Sequence, residues 1–507
     1  MCAVAVNPPL PPHGAGGGSL RRSVSATLAE VAINAAPGKA YSPIVLAGVV
    51  RLVEFLLLCA IGLAVHEVHV APAWGHDVSY FVVIPGMSLL AVILMQAFSL
   101  HTVPALRAPV VHGIKVFGAW TLVFAGALAL AFFLKLDLQF SRVWLVSWYA
   151  IGLAMLMSER FALAAFVRRL AREGKLDRRT VIVGGGAAAE PVLRALANQE
   201  DGELRILGVF DDRGEHRSPD VVAGFPKLGN VDELVEFARH TRLDVVVFTL
   251  PIAAEERLLG LLRKLWILPV DIRLAAYSNK LRFRPRSYSY LGDVPVIDLF
   301  DKPIADWDVF TKAVFDRIVG ALLLALALPV MALVALAVKL DTQGPVLFRQ
   351  IRYGFNNEKI EVYKFRSMYV DRLDPQASQL VTRGDPRVTR VGRIIRRTSF
   401  DELPQLFNVV FKGDLSLVGP RPHAPHARAA DQLYDDVVDG YFARHRMKPG
   451  ITGWAQINGW RGETDTPEKI QKRVEHDLVY IENWSLLRDL YILALTPFAL
   501  LKSENAY

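Results

Sequence analysis

The stretch DPRVTRVGRIIRRTSFDELPQLFNVVFKGDLSLVGPRP, residues 385–422, sets five arginines ahead of an adjacent pair of carboxylates. Arg387, Arg390, Arg393, Arg396 and Arg397 fall mostly three apart, and Asp401 and Glu402 follow. That spacing suits one face of a helix, with Val391, Ile394 and Ile395 on another. Clustered guanidiniums present fixed forks of donors that match phosphoryl oxygens. A carboxylate pair beside them can hold Mg²⁺ or attack phosphorus. Downstream, Gly419-Pro420-Arg421-Pro422 stiffens a turn with two prolines and holds one more arginine at a set angle. A plainer reading competes. Ser399 and Glu402 have the spacing of a capping box, and the arginines can equally form a solvated or lipid-facing stripe. The two readings coexist, because the helix dipole keeps an Asp in a first turn ionised, as a nucleophile or metal ligand requires.

On the N-terminal side, residues 345–369 read as a hairpin turning at Gly354-Phe355-Asn356-Asn357. Lys364 and Arg366, two apart on the return strand, share one face; plain surface charge and phosphate binding are both open for them. On the C-terminal side, 448–462 is a Gly-rich loop with Gln456, Asn458 and Arg461, suited to sugar or nucleotide hydrogen bonds and equally to a turn cluster. The last apolar stretch, 486–501, is short for a membrane span and carries Arg488 and Asp489, so it reads as an interfacial helix.

The 507 residues predict two to four domains. A hydrophobic content of 52% and mean hydropathy of +0.28 point to membrane segments. The net charge of +8 suits anionic lipid and phosphorylated substrates, and no recognised nucleic-acid module appears. With Cys2 and Cys59 alone, no disulfide framework or zinc site is expected, which fits a reducing compartment. Residues 1–40, rich in Pro, Gly, Ala and Ser, read as a disordered tail. Four apolar segments follow near 43–65, 79–100, 113–134 and 143–165, each long enough to cross hydrocarbon. The first carries Arg51 and Glu54, expected near a helix end or paired between helices. The 66–78 connection has no Lys or Arg, whereas Arg107, Lys115 and the basic run 160–179 lie at the other end, so both ends of the bundle are expected in the cytoplasm. Lys135 and Arg142 run against that rule. From about 178 the pattern becomes α/β: Thr180-Val181-Ile182-Val183, then Gly184-Gly185-Gly186-Ala187-Ala188-Ala189, a G-x-G-x-x-A turn, with Asp211 and Asp212 where a ribose-binding acid would lie.

Five motifs occur in order: Lys364-Phe365-Arg366-Ser367-Met368, Asp385-Pro386-Arg387-Val388-Thr389, Asp401-Glu402-Leu403-Pro404-Gln405, the run from Gly413 to Pro422, and Lys448-Pro449-Gly450-Ile451-Thr452-Gly453-Trp454. Together they resemble the catalytic domain of bacterial polyprenyl-phosphate hexose-1-phosphate transferases, the monotopic phosphoglycosyl transferases, in their long form. The resemblance implies a membrane protein of mixed α and α/β class. Its expected parts are a four-helix transmembrane bundle (41–168), a non-catalytic Rossmann-like domain (178–280), a connector (281–310) and a monotopic catalytic domain (311–507). It also implies UDP-hexose, glucose by default, and undecaprenyl phosphate as substrates, inner-membrane lipid as surroundings, Mg²⁺ as cofactor, and downstream glycosyltransferases and a second copy of the chain as partners. Asp401 would attack the sugar-linked phosphorus and ligate the metal, and Glu402 would orient the site or handle protons. Lys364, Arg366, Arg387, Arg396, Arg397, Arg421, Gln456, Asn458 and Arg461 would bind substrate. A membrane-tethered nucleotide-sugar sensor or scaffold without catalysis is the alternative.

The 21-residue apolar run 318–338, with Pro329 near its centre, is long enough to span. Crossing would carry the catalytic motifs away from cytosolic nucleotide sugars, and the basic residues that follow it disfavour export. Proline bends helices. A re-entrant helix over 317–339, broken at Pro329, is therefore expected.

Overall fold

The computed structural model describes residues 41–133, 140–198, 204–213, 218–250, 255–276, 289–291, 294–370, 385–423, 428–429, 432–433, 441–460, 462 and 466–502; the tail 1–40 lies outside them. Four long apolar helices come first: α1 (Pro43–His69), α2 (Val78–Ala97), α3 (Pro109–Phe133) and α4 (Arg142–Arg172). Ser42 caps α1 through Val45 N, and Pro43 fills the position where a missing donor costs nothing. Trp120, Trp144 and Trp148 fill the shared core. Their indole N–H groups donate to Tyr149 O, Gly62 O and Leu58 O at 3.0–3.1 Å, so large rings are buried without orphaned donors. The outward faces remain apolar, with Leu52, Val82 and Phe132 more than half exposed. Glu54 is buried and paired between helices, to Arg160 at 2.5 Å and His101 at 2.6 Å. Arg51 donates to Ala47 O of its own helix.

An eight-stranded sheet follows, built from β1 (Arg178–Val183), β2 (Leu204–Phe210), β3 (Val221–Val222), β4 (Phe225–Gly229), β5 (Val245–Phe248), β6 (Asp271–Ala275), β7 (Ser289–Leu291) and β8 (Val294–Phe300), in the order β3-β4-β2-β1-β5-β6-β8-β7. Strands β4, β2, β1, β5 and β6 run parallel, the doubly wound arrangement expected of alternating strands and helices. The Gly-rich turn leaves β1 where the strand order reverses. One boundary needs correction. The 281–310 connector contains β7 and β8, which pair antiparallel onto β6, so the sheet extends to Phe300. The two strands are short, and Pro295 and the prolines and arginines just before β7 obscured their alternation.

Helix α5 (Asp306–Asp341) opens the C-terminal unit. It begins eleven residues before the expected 317, because Asp306 and Asp308 favour its N-terminal end. The expected break at Pro329 is not a break in helical conformation, for the helix continues through it. Proline removes one donor, while the neighbouring turns are held by Leu324, Met331, Val334 and Val338 packing into the core of the unit. The opposite face, including Ile318, Leu322, Leu326, Leu333 and Leu340, is 61–77% exposed. Among the described residues, five helices, α1 to α5, are thus long and apolar enough to cross a membrane.

Both ends of α5 are tied to the same folded unit. Near its start, Lys312 and Asp316 are buried with Ser416, Val418 O and Asp489. At its end, Asp341 accepts from Val391 N at 3.1 Å. The hairpin β9 (Leu347–Tyr353) and β10 (Lys359–Phe365) pairs antiparallel, with Asn356 and Asn357 at positive φ in the turn. Helix α6 (Arg390–Thr398) follows, and strands β11 (Ser416–Val418) and β12 (Gly450–Thr452) pair parallel. Helices α7 (Pro467–Glu482) and α8 (Leu486–Lys502) complete the unit. In α8, Asp489 is fully buried against Tyr480 and Lys312, while Leu487 and Phe498 face outward.

Candidate active site

Local backbone chemistry brings the distant motifs together. Thr389 caps α6 by accepting from Gly392 N, and Gly392 has no side chain because a Cβ there would lie 2.0 Å from Ser367 O. This close approach joins the segment after β10 to the arginine helix, where Thr389 N donates to Ser367 O and Tyr369 N to Arg387 O. A second close approach joins Gly419 to Gly450. A Cβ on Gly419 would lie 2.4 Å from Lys448 O, so only bare backbone lets the proline turn meet the Gly-rich loop. Arg421 is then fixed from both sides: Gly450 N donates to Pro420 O, Tyr353 N to His423 O, and Arg444 Nη2 to Arg421 O.

Arg444 is fully buried and paired with Asp477 at 2.5 Å. Either partner alone would be a buried unpaired charge, a cost of about 3–5 kcal/mol. His423 Nδ1 lies 2.6 Å from Arg444 Nη1, and a guanidinium only donates, so this nitrogen accepts. Burial, reinforced by Arg444, holds His423 well below the usual imidazole range, consistent with a neutral ring. Neither His423 nor Arg444 was singled out from the sequence. Nothing in their spacing marks them, since they meet Arg421 only through the fold.

The expected capping box does not form. Ser399 adopts a left-handed conformation (φ 62°) that ends α6, and makes no side-chain cap to the turn that follows. Asp401 and Glu402 lie in that tight turn, Phe400–Glu402, which leads into the short helix Gln405–Phe407. The change of direction at Ser399 separates the carboxylates from the arginine helix while leaving Arg396 close to them. Of Val391, Ile394 and Ile395, read from the spacing as a face apart from the arginines, only Ile395 is fully buried, and Ile394 is 64% exposed.

The two carboxylates have different surroundings. Glu402 Oε1 is held by Lys364 Nζ at 2.8 Å and Arg421 Nη2 at 2.7 Å. Among the described residues, the Asp401 carboxylate makes no ion pair or hydrogen bond. Burial, followed by the charge of Glu402, pushes Asp401 up to about 6, while Lys364, Arg396 and Arg421 pull the other way. Burial lowers Lys364, against the pull of Glu402 and Asp401. The site therefore holds one anchored carboxylate beside one uncommitted carboxylate, with three cations around them.

The other expected residues are spread more widely. Arg387 forms a bidentate pair with Asp385, and Arg396 lies close enough to lower both Asp385 and Asp401. Arg397 is exposed. Arg366 is a correction. It is buried at 2% exposure, and its terminal nitrogens donate to Gln343 O and Thr342 O at the end of α5, so it holds that helix end rather than facing Glu402. Gln456 and Asn458 lie around the short helix Trp454–Ile457, where Asn458 donates to Trp454 O and Gln456 Oε1 is buried. Arg461 lies outside the described residues. Arg352 of β9, read from the sequence only as one of the basic residues after the apolar run, acts on Lys364 and belongs to the same basic group.

The Gly-rich turn of the sheet domain is filled by its own chain. Asp211 Oδ2 accepts from Gly185 N at 2.6 Å, and Arg213 pairs with Asp211 and reaches Gly185 O. Asp212 accepts from Val231 N. Both acidic residues at the end of β2 are thus engaged within the domain.

Comparison with known proteins adds to this picture. Residues 307–503, which contain the whole Asp401 site, match the family described as bacterial sugar transferase, and residues 97–276 match a CoA-binding domain. An undecaprenyl-phosphate glucose phosphotransferase of Komagataeibacter xylinus is 40% identical over 71% of this chain and 66% of its own length, just under two thirds. A UDP-glucose:undecaprenyl-phosphate glucose-1-phosphate transferase of Xanthomonas campestris pv. campestris is 33% identical over 90% of this chain and 94% of its own length. Its counterpart in Escherichia coli (strain K12) is 38% identical over 76% and 81%. Similarity over nearly the full length of such relatives, together with the matched C-terminal unit, shows that this chain belongs to the bacterial sugar transferase family.

Proposed function

We propose that this chain transfers glucose 1-phosphate from UDP-glucose to undecaprenyl phosphate, releasing UMP and initiating the assembly of an exopolysaccharide, capsule or O-antigen. The observation that carries the reading is the contrast between Asp401 and Glu402. The anchored Glu402 holds Lys364 and Arg421 in place, and the uncommitted Asp401 is available to attack. An Asp401 oxygen forms a bond to the sugar-linked phosphorus as the bond from that phosphorus to the UMP oxygen breaks, and UMP leaves with the electron pair. The lipid phosphate then attacks the aspartyl-phosphosugar and restores the carboxylate. Lys364, Arg396 and Arg421 offset the negative charge that grows at phosphorus. Purified protein given undecaprenyl phosphate and a panel of UDP-sugars should release UMP with UDP-glucose. Release with no sugar would favour the scaffold reading instead.

The donor set fits a Mg²⁺ ion shared with substrate. Glu402 and Asp385 are occupied by cations, so Asp401 would hold the ion together with diphosphate oxygens and water. Bound there, it would neutralise diphosphate charge. The raised Asp401 gives a pH prediction. Protonation removes the nucleophile, so kcat/KM should fall towards about tenfold per unit as pH drops below about 6. Glu402→Gln removes a like charge, and its acid limb should move to lower pH. An unmoved limb would show that Asp401 does not set it.

We also read α1 to α4 as a transmembrane bundle in the bacterial inner membrane, with the catalytic unit on the cytoplasmic side and α5 as a re-entrant helix. The anchors Asp316 and Asp341 lie on one folded unit, although a straight helix between them would extend about 37 Å, enough to cross hydrocarbon. A crossing would require that unit to sit on both sides. Single cysteines replacing Asp308 or Lys359, with Cys2 and Cys59 removed, should both resist an impermeant thiol reagent until cells are opened. Labelling of position 359 alone in intact cells would mean a true span.

A further inference from the structure

The connection between α1 and α2 contains a group of side chains that the transferase chemistry does not use. His66 and Glu67 lie in the last turn of α1, and His76 follows Gly75. A short helix, Ala71–Trp74, ends at Gly75 (φ 76°), and this left-handed turn folds the chain back on the end of α1. Glu67 Oε1 lies 3.3 Å from His66 Nδ1 and 3.4 Å from His76 Nδ1. The three ligand atoms all fall within 4.8 Å of one another.

Those separations suit a shared ion better than direct ion pairs. A charge-assisted N–H···O bond shortens to about 2.7–2.9 Å. Two ligand atoms at about 2.0–2.1 Å from a tetrahedral zinc lie about 3.3–3.4 Å apart. The rings are also held in advance. His66 is fully buried, packed against Tyr80 at 4.7 Å and Phe81 at 5.6 Å between ring centres. Its Nδ1 faces only Glu67 among the described residues. Glu67 and His76 are half or more exposed, which leaves an approach from solvent and room for a further ligand.

We propose that His66, Glu67 and His76 bind one divalent transition-metal ion of the zinc class. Two imidazoles and a carboxylate are borderline donors suited to zinc and cobalt rather than to magnesium or calcium. The ion joins the end of α1 to the residue that precedes the Asp77 cap of α2, and so ties the first two helices together at the connection that carries no Lys or Arg. This site is independent of Asp401 and of the transferase reading.

The test uses full-length, tag-free protein stripped of metal in detergent and titrated with Zn²⁺ and, separately, Co²⁺. One Zn²⁺ per chain should bind, and Co²⁺ should give the intense visible absorption of a four-coordinate ion. Glu67→Gln and His76→Ala lie on exposed side chains and should each weaken Zn²⁺ binding by at least about tenfold. His69→Ala, on an exposed histidine of the same helix, should bind as the parent does. Absence of stoichiometric Zn²⁺ binding, or unaltered binding by both site variants, overturns the assignment. Equal losses in His69→Ala and His76→Ala overturn it as well, because they would mean diffuse chelation by surface histidines.

Discussion

Asp401→Asn should lower turnover by at least about a thousandfold while leaving the fold and membrane association intact. The substitution keeps size and shape and removes only the charge and nucleophilic oxygen. Because the Asp401 carboxylate makes no ion pair or hydrogen bond among the described residues, little structure depends on it. The parent protein should release UMP from UDP-glucose in a burst approaching one equivalent per chain before any lipid phosphate is added, and the variant should not. Near-parent turnover in a homogeneous Asp401→Asn preparation, free of deamidation, would transfer the nucleophile's role elsewhere. A parent enzyme with normal turnover and no burst would point to direct attack by the lipid phosphate.

Arg421→Ala should reduce kcat by about a hundredfold to a thousandfold, the range for removing one preorganised donor from a site of developing charge. Arg421 both pairs with Glu402 and lies close enough to lower Asp401. Its backbone is held by Pro420 O, Arg421 O and His423 O, so the side chain starts from a fixed point. Arg421→Lys keeps the charge and loses the fork, and should recover only part of the rate. Full activity in the Lys variant would show that charge alone is needed. Unchanged kcat in the Ala variant would remove Arg421 from the reaction.

The apolar helices, the strand-turn-helix pattern after residue 178 and the hairpin around 354–357 were legible because each depends on local periodicity or turn chemistry. The same local reasoning misjudged Ser399. Its spacing from Glu402 satisfies a capping pattern, but the backbone uses it at positive φ to end the preceding helix. Arg366 shows the limit on the other side. Alternation placed it beside Lys364, yet the end of α5 offers it two carbonyls, and a buried guanidinium satisfies its donors wherever acceptors are found.

What this sequence determined by itself was the inventory: a carboxylate pair, a supply of arginines, and glycines and prolines that permit close backbone contact. Which carboxylate is anchored and which is uncommitted was decided only by tertiary structure. Lys364 comes from a hairpin and Arg421 from a turn held by Arg444, Tyr353 and Gly450, and they meet at Glu402. Ion pairing depends steeply on separation in a partly buried site, and separations between residues 364, 402 and 421 are set by packing rather than by any spacing along the chain.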